Sequence, residues 1–182
     1  MNPTVERSNY DSLLLEIIGK VIRRVSYFEI DCGEPSFEKS DHHSLDYGLQ
    51  FDISAEESYY MIWDSQNIQF DLKFAKGQLM DELNPEAVIN CYDVSKSLAW
   101  MDQIGQKIVN VQSHWRHLQH LHEGRRIYYP QDIEFTFENG QIVTVSALEI
   151  APDGRIGVLA DHISVFFNSE TAQKYVARCD NN

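Results

Sequence analysis

Ile18-Gly19-Lys20-Val21-Ile22-Arg23-Arg24-Val25 and Ile104-Gly105-Gln106-Lys107-Ile108-Val109-Asn110-Val111 lie 86 residues apart. They match identically at Ile18, Gly19, Ile22 and Val25 against Ile104, Gly105, Ile108 and Val111. Upstream of these, Glu16 faces Asp102, and Leu14 and Leu15 face Trp100 and Met101. A recurring segment matters first because it sets how the rest of the chain is parsed. The local signals around the two copies recur as well. Asn9 or Asp11 can cap a helix carrying Leu14, Leu15 and Ile18, and Asp93 or Ser95 one carrying Leu98, Trp100, Met101 and Ile104. Each predicted helix stops at a glycine, Gly19 or Gly105, which enters the left-handed conformation without a Cβ clash.

Downstream, each copy continues with strand patterns. The first pair covers 21–28 and 107–114. The second covers 49–53 and 133–137, where Leu49, Phe51, Ile53 and Ile133, Phe135, Phe137 alternate with polar residues. The third covers 58–64 and 141–150, and the fourth 68–74 and 162–167. Asn139-Gly140 is a tight hairpin signal, and Asp153-Gly154 a further turn. Tyr59, Met61 and Trp63 would share one face of their strand and Tyr60 and Ile62 the other, the pattern of a strand buried on both sides. Helices are predicted near 85–90 and over 169–177. The expected fold class is α+β: two helix-plus-antiparallel-strand units, residues 1–91 and 92–182, packed as one globule through a short linker at 91–93. A single-copy α+β domain over 1–182 is the alternative.

Composition narrows the functions. The chain has 182 residues, 15 Lys plus Arg and 28 Asp plus Glu, for a formal charge of −13. Its 9 Phe, 9 Tyr and 3 Trp exclude a disordered acidic tail. The negative charge argues against nucleic acid, whose phosphates call for clustered Lys and Arg. The termini give no secretory or lipidation signal, and no apolar run approaches the ~18 residues of a membrane-spanning helix. The expectation is a soluble cytoplasmic protein with no membrane and no nucleic-acid partner. Cys32, Cys91 and Cys179 form no Cys-x-x-Cys pair and read as thiols of a reducing compartment. Phosphate-binding loops, dinucleotide turns, nucleophile elbows and calcium loops are all missing, and no cofactor is expected.

Residues 1–91 carry 7 basic and 17 acidic side chains, a net of −10, and residues 92–182 carry 8 and 11, a net of −3. Glu34, Glu38 and Asp41 in one loop and Glu56 and Glu57 in another are therefore candidate binding residues for a basic protein partner, which an acidic surface would steer. In size and charge the chain resembles the small acidic immunity partners of bacterial toxins. The leading reading is a non-enzymatic interaction module of that type.

The alternative is a metal-dependent or small-ligand enzyme using the segment 114–122. Its weak candidate ligands are His114, His120, His122 and His162, the last beside Asp161. That reading requires the segment to converge with Asp161-His162; the interaction reading expects them apart. Arg125 and Arg126, next to Tyr128 and Tyr129, are expected to pair with acidic loops of the other half.

Overall fold

The computed structural model describes residues 3–30, 37–39, 41–83, 88–119 and 126–176. Its mixed α and β content is mostly antiparallel sheet. Helix α1 (Pro3–Leu15) is followed by strands β1 (Arg24–Ile30), β2 (His43–Leu45), β3 (Gly48–Asp52), β4 (Ser58–Asp64) and β5 (Asp71–Lys76). After a 3-10 turn at Leu79–Glu82 come β6 (Ile89–Asp93), β7 (Ile108–Gln119), β8 (Arg126–Phe137) and β9 (Ile142–Ser146). A small hairpin of β10 (Leu148–Ile150) and β11 (Ile156–Val158), then β12 (Ile163–Phe166) and helix α2 (Ser169–Val176), complete the order.

Two five-stranded sheets run β5-β4-β3-β1-β6 and β2-β12-β9-β8-β7. The alternation read from the sequence decides which side chains meet between them. Leu49, Phe51, Tyr59 and Met61 of the first sheet share one buried cluster with Ile133, Phe135, Val143 and Val165 of the second. The Phe51 and Phe135 rings meet edge to face with centroids 5.3 Å apart. Strand β4 is apolar on both faces as expected: Tyr59 and Met61 enter this core, while Tyr60 and Ile62 pack outside with Phe28 and Leu79.

The two matching segments pair with each other. Gly19 N–H donates to Ile108 O (2.7 Å) and Gly105 N–H to Ile22 O (2.8 Å). Ile108 N–H donates to Lys20 O (2.8 Å) and Ile22 N–H to Gln106 O (3.3 Å), with Val21 bridged to Lys107 between them. A shift of 86 exchanges Gly19 with Gly105 and Ile22 with Ile108, so it carries each of these bonds onto its counterpart. Both glycines have positive φ, 84° and 83°.

Several elements depart from the sequence expectation. Helix α1 begins at Pro3, with Asn9 and Asp11 inside it rather than capping it. Proline suits a first helical turn because its missing N–H has no intrahelical acceptor there. The segment after Ser95 forms turns, not a regular helix: bonds from Trp100 N to Ser97 O and Gln103 N to Trp100 O span three residues, those from Met101 N and Ile104 N four. Only about a dozen residues connect β6 to β7 there, and Trp100 must bury completely among them. Of the helix expected near 85–90, residues 85–87 lie outside the described residues and Ile89 and Asn90 belong to β6, which also takes up the expected linker at 91–93. Tyr92 lies opposite Tyr27 and packs on the core, so alternation with period two prevails. Strand β2 comes from the first half of the chain yet joins the second sheet, pairing with β12 through Val165 opposite His43.

Candidate functional site

The acidic candidates occupy two loops. Glu38 is exposed before β2, and Glu56 is exposed in the β3–β4 turn. Glu57 accepts from Lys20 Nζ (3.0 Å) and Tyr59 Oη (3.1 Å) and pairs with Lys76 (3.3 Å), contacts that hold its carboxyl below the usual range. Asp41 is turned to its neighbour His42 and to Tyr175. Glu34 lies outside the described residues.

The two candidate histidines among the described residues, His114 and His162, do not converge. The segment 114–122 is, where described, part of strand β7, with His114 half-buried and His117 exposed. His120, His122 and Arg125 lie outside the described residues, and Arg126 is exposed. His162 precedes β12, which β9 and β8 separate from β7. Three strand spacings put His114 roughly 14 Å away laterally. Among the described residues, no group of three or more His, Cys, Asp and Glu side chains could hold a metal ion. Within the same residues no helix is long and apolar enough to cross a membrane.

A different histidine, His42, is buried beside a cavity. Along β2, His43 and Leu45 point into the core, so the flanking His42 and Ser44 face outward. This outer face is covered by α2 and by the β10–β11 hairpin, where Phe166, Leu148, Ala172 and Tyr175 form their own apolar cluster. The His42 ring lies against Phe166 and Tyr175, with centroids 5.8 and 5.9 Å away. His42 is 6% exposed; its Nδ1 lies 2.8 Å from Asp41 Oδ1, and its buried Nε2 has no hydrogen-bond partner among the described residues. Asp41 Oδ2 accepts from Tyr175 Oη (3.0 Å) and lies 3.8 Å from Lys174 Nζ. The His42 hydrogen bond, with those from Tyr175 and the Lys174 charge, holds the Asp41 carboxyl below its ordinary range. Above this group opens a cavity of about 450 Å³ whose walls include Ser44, Glu149, Ile150, Pro152 and His162. His162 Nδ1 faces Asp161 at 3.3 Å.

Sequence reasoning passed over His42. The available signal is the dipeptide Asp41-His42 and its echo Asp161-His162, whose histidines line the same cavity. Several other buried polar groups are hydrogen-bonded within the protein, while Glu29 Oε1, Ser97 Oγ and Gln131 Oε1 share with His42 Nε2 the lack of a hydrogen-bond partner among the described residues. Trp100 Nε1–H donates to Tyr27 Oη (2.6 Å), which in turn hydrogen-bonds His43 Nδ1 (2.8 Å), linking the two sheets. Asp52 accepts from Gln50, Ser58 and Arg24. Fully buried Asp132 accepts from Ser146 Oγ and lies 3.9 Å from Arg116. Comparison with protein-family models, curated proteins and solved structures gives no match to this chain.

Proposed function

We propose that this chain is a non-enzymatic interaction module that binds a basic protein through the acidic surface of its first half, in the manner of an immunity partner acting in the cytoplasm. The observation that carries the reading is the way charge is spent. Cations are few, and many are already engaged: Lys20 and Lys76 with Glu57, Lys73 with Asp64 and Glu82, Arg24 with Asp52. Among the described residues of this acidic half, Glu38 and Glu56 are left exposed to solvent. Such a surface raises the encounter rate with a cationic partner. The separation of His114 from His162 supports this reading over a histidine-based enzyme. Capture from extract of the native host tests it: a basic protein retained at low salt and released at moderate salt is expected, with loss of capture by the Glu38→Lys/Glu56→Lys variant. Recovery of no salt-sensitive partner would contradict it.

We further infer that the globule arose from one α+β unit used twice, residues 1–91 and 92–182. Its support is the exchange of hydrogen bonds under the 86-residue shift and the same antiparallel succession, β1-β3-β4-β5 and β7-β8-β9-β12, in each sheet.

A further inference from the structure

A second cavity, of about 490 Å³, opens where α1 spans the gap between the edge strands β5 and β7. Tyr10 and Leu13 of α1 and Trp115 of β7 give it an apolar wall, and Asn9, Gln66 and Asn67 supply three side-chain amides. Gln66 and Asn67 stand on the turn between β4 and β5, which a buried carboxylate holds in one shape. Asp71 is 1% exposed and accepts from Gln66 N–H (3.1 Å), Asn67 N–H (2.9 Å) and Asn67 Nδ2 (2.7 Å). The turn closes at Phe70, whose φ of 62° is a strained position for an aromatic residue, braced by the Trp63 ring 5.4 Å away.

With Nδ2 committed to Asp71, the other corner of the Asn67 amide, Oδ1, points away from it and meets no donor among the described residues. Gln66 Oε1 and the Asn9 amide make no hydrogen bond there either. These atoms are within reach of a ligand: Asn9 and Gln66 are exposed, Asn67 is half-exposed, and no amide atom of the three is buried without a partner. The neighbouring charges are engaged. Asp11 accepts from Ser113 Oγ (2.5 Å) and Trp115 Nε1 (3.3 Å) and pairs with Arg7 (3.5 Å). The Arg7 guanidinium lies over the Trp115 ring, 5.7 Å from its centroid, on a face that a cationic ligand would seek. An anion would meet the Asn67 and Gln66 oxygens, with no cation among the described residues of the wall. Hydroxyl groups suit it, since they donate to those oxygens and both donate to and accept from the Asn9 amide. The Tyr10 and Trp115 rings stand at 80° with centroids 5.4 Å apart, and Tyr10 Oη is pinned by donation to Leu72 O (3.0 Å). Such a corner meets the C–H groups of a puckered ring on two sides, whereas a flat base would stack on one wall alone.

We propose that this cavity binds one neutral monosaccharide ring, free or at the end of a glycan, with hydroxyls donating to Asn67 Oδ1 and Gln66 Oε1 and bonding the Asn9 amide while C–H groups pack in the Tyr10–Trp115 corner. The volume lies in the range of small-molecule sites. The site is separate from the acidic-surface reading and does not rest on it.

Side-chain amide and indole nitrogen–proton spectra of the whole protein test the proposal, recorded on titration with D-glucose, D-galactose and D-mannose and with their methyl glycosides. Sodium sulfate, putrescine and adenosine serve as charged and flat probes. At least one sugar is expected to move the Asn67 amide and Trp115 indole resonances together with millimolar affinity, and the three probes are not. Binding of its methyl glycoside as well would mark the end of a glycan, and binding of the free sugar alone a free monosaccharide. Asn9→Ala and Gln66→Ala, at exposed positions, should each weaken that affinity about tenfold while leaving the thermal midpoint near that of the parent. The Glu38→Lys/Glu56→Lys variant should bind the sugar unchanged. No response at Asn67 and Trp115 to any of the sugars would overturn the proposal, as would a response to sulfate, putrescine or adenosine alone, or sugar binding indifferent to both alanine variants.

Discussion

Gly19 and Gly105 hold φ at 84° and 83° with open space around the position a Cβ would take. Replacing either by alanine therefore adds backbone strain and no clash. Each variant should lose about 1 kcal/mol in urea denaturation, the two losses being similar because the bonds they anchor are counterparts. Tyr27 differs in kind. Its hydroxyl serves both the Trp100 indole and His43, so Tyr27→Phe leaves two buried groups short of a partner and should cost about 3 kcal/mol by the same measurement. Both glycines were legible as left-handed positions because that requirement is local to the backbone, although α1 ends at Leu15 and turns, not a helix, precede Gly105. The role of His42 was not. Of its settings, Asp41 is adjacent, but Tyr175, which fixes Asp41, lies 134 residues further on. One sequence gives no measure of such a separation in space.

Among the elements, strands were readable where alternation decided which face is buried. Leu49-Phe51 and Ile133-Phe135 stand in the core as their spacing required. Short elements were less so. Strand β2 has three residues, and no local pattern announces that it leaves its own half to edge the second sheet. The segment after Ser95 has helical spacing, but the burial of Trp100 and the distance to β7 compress it into turns. Helix α2 is eight residues long, too short to persist without tertiary contacts. It is tied down by the Tyr175–Asp41 hydrogen bond and by the Tyr175 ring stacked on Phe166. Asp41→Ala should therefore raise amide hydrogen exchange through Ser169–Val176 several-fold, while β3 and β8 keep their protection. Equal exchange in Asp41→Ala and the parent would show that α2 does not depend on the Asp41 clasp.

At the scale of the whole molecule, two groups set opposing dependences on pH. Burial, with His42 alongside, pushes the His43 imidazole from 6.5 down to about 4. Between those values the unfolded chain binds a proton that the folded chain refuses, so stability falls as pH drops through that window. Burial and the nearby Asp46 push the Glu29 carboxyl from 4.5 up to about 8. There the folded chain keeps a proton that the unfolded chain releases, so this contribution is complete below 4.5 and is lost as pH rises toward 8. The two slopes oppose each other between 4.5 and 6.5 and act alone outside it. Urea midpoints should accordingly change little across that interval and decline on either side, and Glu29→Gln should remove the alkaline decline and, leaving the His43 slope unopposed, make the midpoints rise between 4.5 and 6.5. An unchanged alkaline limb in that variant would place its origin elsewhere.

The net charge of −13 acts on the same scale, through the long-range field rather than through any one contact. On the proposed reading, this field sets how fast the protein meets a basic partner. The direct measurement is the association rate constant by stopped flow, with the captured partner, across ionic strength. The prediction is a steep fall as salt rises, with the Glu38→Lys/Glu56→Lys variant slower at low salt and less dependent on it. A rate constant indifferent to salt, and equal in the two proteins, would contradict the claim that the acidic first half is the binding face.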